Sequence, residues 1–557
     1  MNPLSSRHAL RPFLAGLCLC CASIAIAAED GWSQSQVALR RLTEAQYRQT
    51  IADLFGADLQ IPGRFEHDIR TEGLLAVGAA RETYSPGGLE QYDLNARSIA
   101  GQITDAAHRK VLVSCGPARA NQFDEKCAAR FLGRVGEGLF RRPLSANELK
   151  DAVRVATAAF KAQADFYLGL QYALVVFLES PNFLFRVETA HVTESGNYEL
   201  DAVSKAGRLS FFLWNAPPDD ELLKAALSRS LNTRGGLSRQ VERLMASPRL
   251  EQGVRAFFSD MLGYESFERL NLDPAIYPRF NNAVASDARE ESLRLIVDQL
   301  ITEKADYRDL FTTRKTFLTR RLGSIYRVPV ANATGWSEYE FSPDAGRAGL
   351  LTRAAFLETT SNPGTTSPTL RGKAIRELFL CQHVPPPPGN VDFSIVQDTK
   401  NSILTTSRLR FQAHTREPMC AGCHKIMDPL GLAFEHFDGT GQARLTENGT
   451  PIDASGRLDN KPFNDASEFN AVLHNDPALA SCLVSRALAY GIGRAPGERE
   501  QDALTVLKKE FTADGYRYID LLRQMTSSDY FYKLDVPKND EQKHAGSRVS
   551  AEKQTKG

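Results

Sequence analysis

Apolar residues recur at three- and four-residue spacing over residues 37–55, 89–106, 128–139 and 149–176, while strict alternation is scarce. Such spacing lays one apolar stripe along a helix, so the pattern predicts a mainly α protein. The punctuation agrees. Arg142-Pro143-Leu144-Ser145-Ala146-Asn147-Glu148 ends one helix at the proline and offers Ser145 as the next N-cap, with Glu148 three residues on to complete a capping box. Asn215-Ala216-Pro217-Pro218-Asp219-Asp220-Glu221 separates a helix ending near Trp214 from its successor, and Ser247-Pro248-Arg249 breaks the chain before the apolar stretch 254–261. The expected architecture is a series of helical-hairpin modules.

Further along, Pro385-Pro386-Pro387-Pro388-Gly389-Asn390 cannot be helical and predicts an extended hinge or clamp within 384–391. Residues 443–458 read as an inserted β-hairpin turning at Asn448-Gly449. Helical spacing returns over 485–490, 503–511 and 518–525, and the last twenty residues, without apolar periodicity, read as a disordered tail. At the other end, Arg7 and Arg11, an apolar run from Phe13 and the small residues Ala25-Ile26-Ala27-Ala28 read as a cleaved signal peptide, too short to span a membrane. The expected segmentation is a signal peptide (1–28), three helical modules (29–110, 111–195, 196–345), a fourth module (346–470), a C-terminal helical module completing it (471–537) and the tail (538–557).

Charge changes little. The chain has 67 Lys+Arg against 67 Asp+Glu, and removal of the leader's two arginines leaves 65 against 67, a formal charge of −2 with the signs mixed throughout. No basic excess marks a nucleic-acid or anionic-lipid partner. Cysteine usage says more: three of the nine fall in the leader, leaving Cys115, Cys127, Cys381, Cys420, Cys423 and Cys482. Export to an oxidising compartment favours pairing, and setting aside Cys420 and Cys423 leaves the expected disulfides Cys115–Cys127 and Cys381–Cys482.

Cys420-Ala421-Gly422-Cys423-His424 has the form that covalent haem c requires, two thiols one helical turn apart for the vinyl groups and an adjacent imidazole for iron, so the fourth module, 346–470, is expected to be a cytochrome c-like haem module. From the chain's own frequencies the chance expectation is about 0.003 occurrences. A zinc site would lack a second close pair of ligands, and a thioredoxin-type dithiol would lack the α/β flank. Candidate distal iron ligands are Met525, His474 and His414, beside an open or water-bound position; Met419 and Met427 lie too near His424 to cross to the opposite face. Leu432, Phe434 and Phe437 are expected to wall one haem edge, after a proline and glycine turn at Pro429 and Gly431. Arg371, Lys373, Arg376 and Arg444 are candidates for the propionates.

With these residues in view, the chain resembles the secreted bacterial family of planctomycete-type haem c proteins built from consecutive domains of unknown function. The resemblance covers nearly all of the mature chain. It rests on Arg41-Leu42-Thr43-Glu44-Ala45-Gln46-Tyr47 with Asp53-Leu54-Phe55-Gly56, on Leu139-Phe140-Arg141-Arg142-Pro143-Leu144, and on Arg208-Leu209-Ser210-Phe211-Phe212-Leu213-Trp214. The run from Ser367-Pro368-Thr369-Leu370-Arg371-Gly372-Lys373 through Cys420 to Gly441, and Ala487-Leu488-Ala489-Tyr490-Gly491-Ile492-Gly493-Arg494, complete it. The resemblance implies a secreted haem protein without a settled substrate; it gives His414 a pocket role and, because relatives carry asparagine there, none to His436.

The functional expectation is an exported, periplasmic or secreted monohaem c-type cytochrome passing single electrons to a redox partner in the cell envelope. A haem-dependent oxidoreductase of peroxidase or oxygenase type is the alternative, motivated by the roughly 350 residues that precede the haem region, far more than a carrier needs. A third reading is an envelope scaffold with structural haem. No phosphate-binding glycine loop, His-Glu-x-x-His or Gly-x-Ser-x-Gly motif points to other chemistry, and whether the chain is an enzyme stays open at this level.

Overall fold

The computed structural model describes residues 35–81, 84–193, 197–386, 394–416, 418–498 and 500–534. The expected signal peptide, the tail 538–557 and the proline-rich run beyond Pro386 lie outside the described residues. The protein is mainly α, as its periodicity requires. Ser145 accepts from the Glu148 amide and the Glu148 carboxylate from the Ser145 amide, so helix Ala146–Gln163 starts on the expected capping box. The stretch 149–176 is two helices: Ala164 turns left-handed, and Asp165 caps the second, Phe166–Leu178.

One element differs in kind. Residues 37–41, read as the start of a helix, belong to strand Ser35–Arg41, and the helix begins only at Glu44, behind a capping box of Thr43 and Gln46. The strand heads a four-stranded antiparallel sheet, followed by Phe185–Val192, Tyr198–Leu200 and finally Lys533–Leu534 from the far end of the chain. Its register buries Arg40 and leaves Leu39 39% exposed, the inverse of an amphipathic strand, so hydrophobicity alone misassigns it.

Two apolar cores fill the described residues. One gathers Tyr47, Ile51, Ile99, Leu132, Leu139 and Leu174 from the first part of the chain. The other runs from Leu200 to Tyr532 and takes in Leu74 and Val77. The third helical, haem and C-terminal segments therefore share one interior. Both expected disulfides form: Cys115–Cys127 clamps a short loop, and Cys381–Cys482 ties the segment before the Cys-x-x-Cys-His motif to helix Pro477–Ile492 after it. Asn448 and Gly449, both at positive φ, turn the expected hairpin Thr446–Glu447 with Thr450–Pro451. A second small hairpin, Gly456–Leu458 with Lys461–Phe463, follows it. Among the described residues no helix is long and apolar enough to cross a membrane.

Candidate functional site

The motif lies on helix Pro418–Leu432, which crosses the shorter helix Pro368–Ala374 at very close range. Glycines allow it: a Cβ on Gly431 would sit 1.7 Å from the Pro368 carbonyl oxygen, and one on Gly372 would sit 2.0 Å from that of Met427. Pro429 is inside the motif helix, so the expected turn at Pro429 and Gly431 is absent, and these residues pack helix against helix.

Cys420 and Cys423 stand three residues apart on this helix as half-buried free thiols, while the other four cysteines of the described chain are oxidised to disulfides. Next to them, His424 places Nδ1 2.8 and 3.0 Å from the two carboxylate oxygens of Asp428, one turn further along. Asp428 is itself held by the Thr369 hydroxyl, which donates at 2.9 Å from the crossing helix. A carboxylate on Nδ1 assigns the proton to that nitrogen and leaves the Nε2 lone pair for a metal. Neither Asp428 nor Thr369 was singled out by the sequence, although an acid four residues after a histidine on a helix is a recognisable signal.

Beside this pair opens a groove of about 350 Å³ lined by Phe411, His424, Asp428, Pro429 and Leu432, with Arg408 and Lys425 at its polar side. The His414 ring, 5% exposed, meets the His424 ring edge-on at 4.9 Å between centroids, and the Phe411 ring lies at 5.9 Å. Both come from helix Ser407–His414, which the hairpin after the motif anchors: Glu447 accepts from the Ser407 amide at 2.6 Å and from Arg410 at 2.5 Å.

The other expected residues are distributed differently. Of the distal candidates, the structure brings His414 to His424. Met525 is 1% exposed in helix Tyr518–Ser527, within the second core. His474 ends helix Ala466–His474 and bonds Asp309 through Nε2 at 3.0 Å. His436 Nε2 meets the Ile452 carbonyl oxygen at 3.3 Å. Leu432 lines the groove, but Phe434 and Phe437 are core residues, Phe434 packing on Phe356 and Phe469.

The propionate candidates are committed elsewhere. Fully buried Arg371 pairs with Glu435 at 3.1 Å and donates to the carbonyl oxygens of Phe434, Phe437 and Asp438. Arg444 takes the other Glu435 oxygen at 2.8 Å, Arg376 pairs with Asp459 at 3.0 Å, and Lys373 faces Glu377 at 3.9 Å. Arg371 and Arg444 thereby brace the segment after the motif helix, and the Arg371 charge, wholly buried, is tolerated because it is paired. Arg408, held by Asp453 at 3.1 Å, and Lys425 are the cations that reach the groove.

Neither a curated protein nor a solved structure matches the chain. Five domain families, each described as a protein of unknown function, match in succession: DUF1587 over residues 40–105, DUF1595 over 127–188, DUF1592 over 200–328, DUF1588 over 347–447 and DUF1585 over 459–531. The DUF1588 match contains the whole Cys-x-x-Cys-His helix and its crossing partner. The chain is thus built of five consecutive domains of the kinds associated with planctomycete cytochrome c-like proteins.

Proposed function

We propose that this is an exported monohaem c-type cytochrome, with haem held by thioethers to Cys420 and Cys423, iron ligated by His424, and single electrons exchanged with a redox partner in the cell envelope. The observation that carries the reading is the pair of free thiols one turn apart beside an imidazole whose Nδ1 is fixed by Asp428, in a chain whose other described cysteines are all oxidised. Covalent haem c supplies a one-electron couple at its iron. The chain's residues do the rest: Asp428 and Thr369 orient the imidazole, Phe411 and Leu432 exclude water from one side of the groove, and Arg408 and Lys425 offer charge to carboxylates at its rim. The two disulfides accord with an oxidising compartment outside the cytoplasm.

A second reading, a haem-dependent oxidoreductase, is favoured by one observation, the carboxylate on His424 Nδ1. A carboxylate partner makes the imidazole a stronger donor than a carbonyl partner would, which stabilises the oxidised iron. The test is expression with the c-type haem maturation system, followed by mass analysis and spectra with and without carbon monoxide. Covalent haem with a reduced spectrum that carbon monoxide leaves unchanged is the expected result. Ready carbon monoxide binding moves the oxidoreductase reading ahead, and absence of attached haem refutes both. In D428N the midpoint potential should rise by on the order of 50 mV, near a tenfold change in a one-electron equilibrium, with haem still attached.

A further inference from the structure

Strand Ser35–Arg41 pairs with Phe185–Val192 so that Arg40 lies directly opposite Arg186. Paired residues in an antiparallel ladder project from the same face, where like charges repel. Glu188, two positions along and on that face, is the carboxylate available to them. It is already committed: Arg40 Nη2 lies 3.1 Å from it, and Arg208, reaching over from helix Ala202–Trp214, donates through Nε at 3.0 Å and through Nη2 at 2.5 Å. Arg40 also donates to the Gly491 and Ile492 carbonyl oxygens, and Arg208 to that of Phe531. Among the described residues the Arg186 guanidinium has no hydrogen-bond or ion-pair partner; it lies over the Phe211 ring at 4.4 Å. Burial pushes Arg186 down to about 10, against the pull of Glu188.

Arg186 opens onto a cleft of about 290 Å³ at the seam of the two cores, bordered also by Arg141, Arg142, Asn182 and Arg208. Arg141 spends its donors on the carbonyl oxygens of Asn182, Phe183 and Phe185, and Arg142 forms a two-bond pair with Glu148 at 2.8 and 2.9 Å. Asn182 gives its side-chain oxygen to Arg142, which leaves its amide nitrogen as a donor. The cleft is lined by four guanidiniums, those of Arg141, Arg142, Arg186 and Arg208, and two carboxylates, those of Glu188 and Asp201; behind the lining, Arg40 pairs with Glu188 and Glu148 with Arg142, which makes five cations against three anions. The surplus is two positive charges beside one unpaired planar fork. Arg186 is partly buried, and a planar guanidinium with free donors matches a carboxylate or phosphate group better than any neutral ligand.

We propose that this cleft binds a small oxyanion, the carboxylate or phosphate group of a small molecule, on Arg186 and the Asn182 amide. The site is remote in sequence from the Cys-x-x-Cys-His helix and does not depend on haem. It adds a ligand-binding function to the junction between the first and second cores, where an anion would complete the charge balance of the sheet.

Calorimetric titration of the full mature chain with inorganic phosphate, with succinate and with chloride, at constant ionic strength, tests it. Saturable binding of phosphate or succinate, without binding of chloride, is expected, and R186Q should weaken it at least about tenfold, the loss of one charge-assisted bond. N182A should weaken it less, by about threefold, as expected for a neutral donor. Binding confined to phosphate assigns a phosphorylated ligand, and binding confined to succinate assigns a carboxylate. Absence of binding, or equal binding by R186Q, overturns the proposal. So does an R186Q protein that melts well below the parent in anion-free buffer, because the guanidinium would then be satisfied by Phe211 and Glu188 alone.

Discussion

Two buried carboxylates, Glu435 behind the motif helix and Glu188 in the sheet, each gather two arginines, and they reach different balances. At Glu435, both oxygens are taken, by Arg371 and by Arg444, and the remaining donors of Arg371 go to three carbonyl oxygens of the segment it braces. Arg444 keeps a quarter of its side chain in solvent. At Glu188, both arginines are almost wholly enclosed, and a third, Arg186, shares the face without a carboxylate of its own. The first cluster is closed and serves as a bracket for the candidate haem site. The second is open on one side, and its geometry gives a ligand somewhere to go. The same two residue types therefore carry different consequences, decided by how many carbonyl oxygens and how much water surround them.

Breaking the sheet cluster should have the largest effect. E188Q leaves two enclosed guanidiniums without a counter-charge, and the expected loss is about 3–5 kcal/mol, measured by urea unfolding of the parent and variant. The pH dependence sharpens the same point. Burial would push the Glu188 carboxyl up, but Arg208 and Arg40 outweigh it and hold it at about 2. A carboxylate depressed in the folded state stabilises above its unfolded value and loses that contribution as pH falls through its folded one. Acid unfolding should therefore show a component between the usual glutamate value of about 4.3 and the folded value of about 2 that is missing in E188Q.

E435Q should cost less, about 1–3 kcal/mol, because Arg371 keeps its three carbonyl acceptors and Arg444 reaches water. Covalent haem attachment in E435Q should persist while the spectrum reports a loosened site. Glu358 supplies the opposite case: it is fully buried, its carboxylate oxygens have no hydrogen-bond partner among the described residues, and it is pushed well above the ordinary carboxyl range by burial and by the charges of Glu291 and Asp438. A carboxyl raised in the folded state favours folding below its unfolded value and penalises it as pH climbs above. E358Q should thus melt higher than the parent at pH 8 and close to it at pH 4, by up to about 1 kcal/mol in stability, the smallest of these effects.

Much of the local structure was legible because its causes are local. The Ser145 and Glu148 capping box, the helix stops at prolines and the Asn448-Gly449 turn depend on residues within one turn of each other, and each forms where its residues stand. The disulfide pairs followed from parity and from the exclusion of two cysteines by their spacing. Strand Ser35–Arg41 was not legible, because the partners that make its buried Arg40 tolerable are 148 to 452 residues away in the chain. The aromatics Phe434 and Phe437 sit near the motif in sequence yet pack into the core, since they follow the motif helix's end at Leu432 on the segment whose carbonyl oxygens Arg371 holds.

What the sequence determined by itself was the helical class, the cysteine pairing and the Cys-x-x-Cys-His constellation, all set by spacing along one chain. Only the tertiary structure decided which charges face each other. It gave His424 an Asp428 anchored from a second helix, turned Arg371 and Arg444 into a bracket, and set Arg186 against Arg40 with one carboxylate between three guanidiniums. The reason is physical: apolar periodicity records how much surface is buried, whereas the fate of a buried charge depends on partners that distant segments bring.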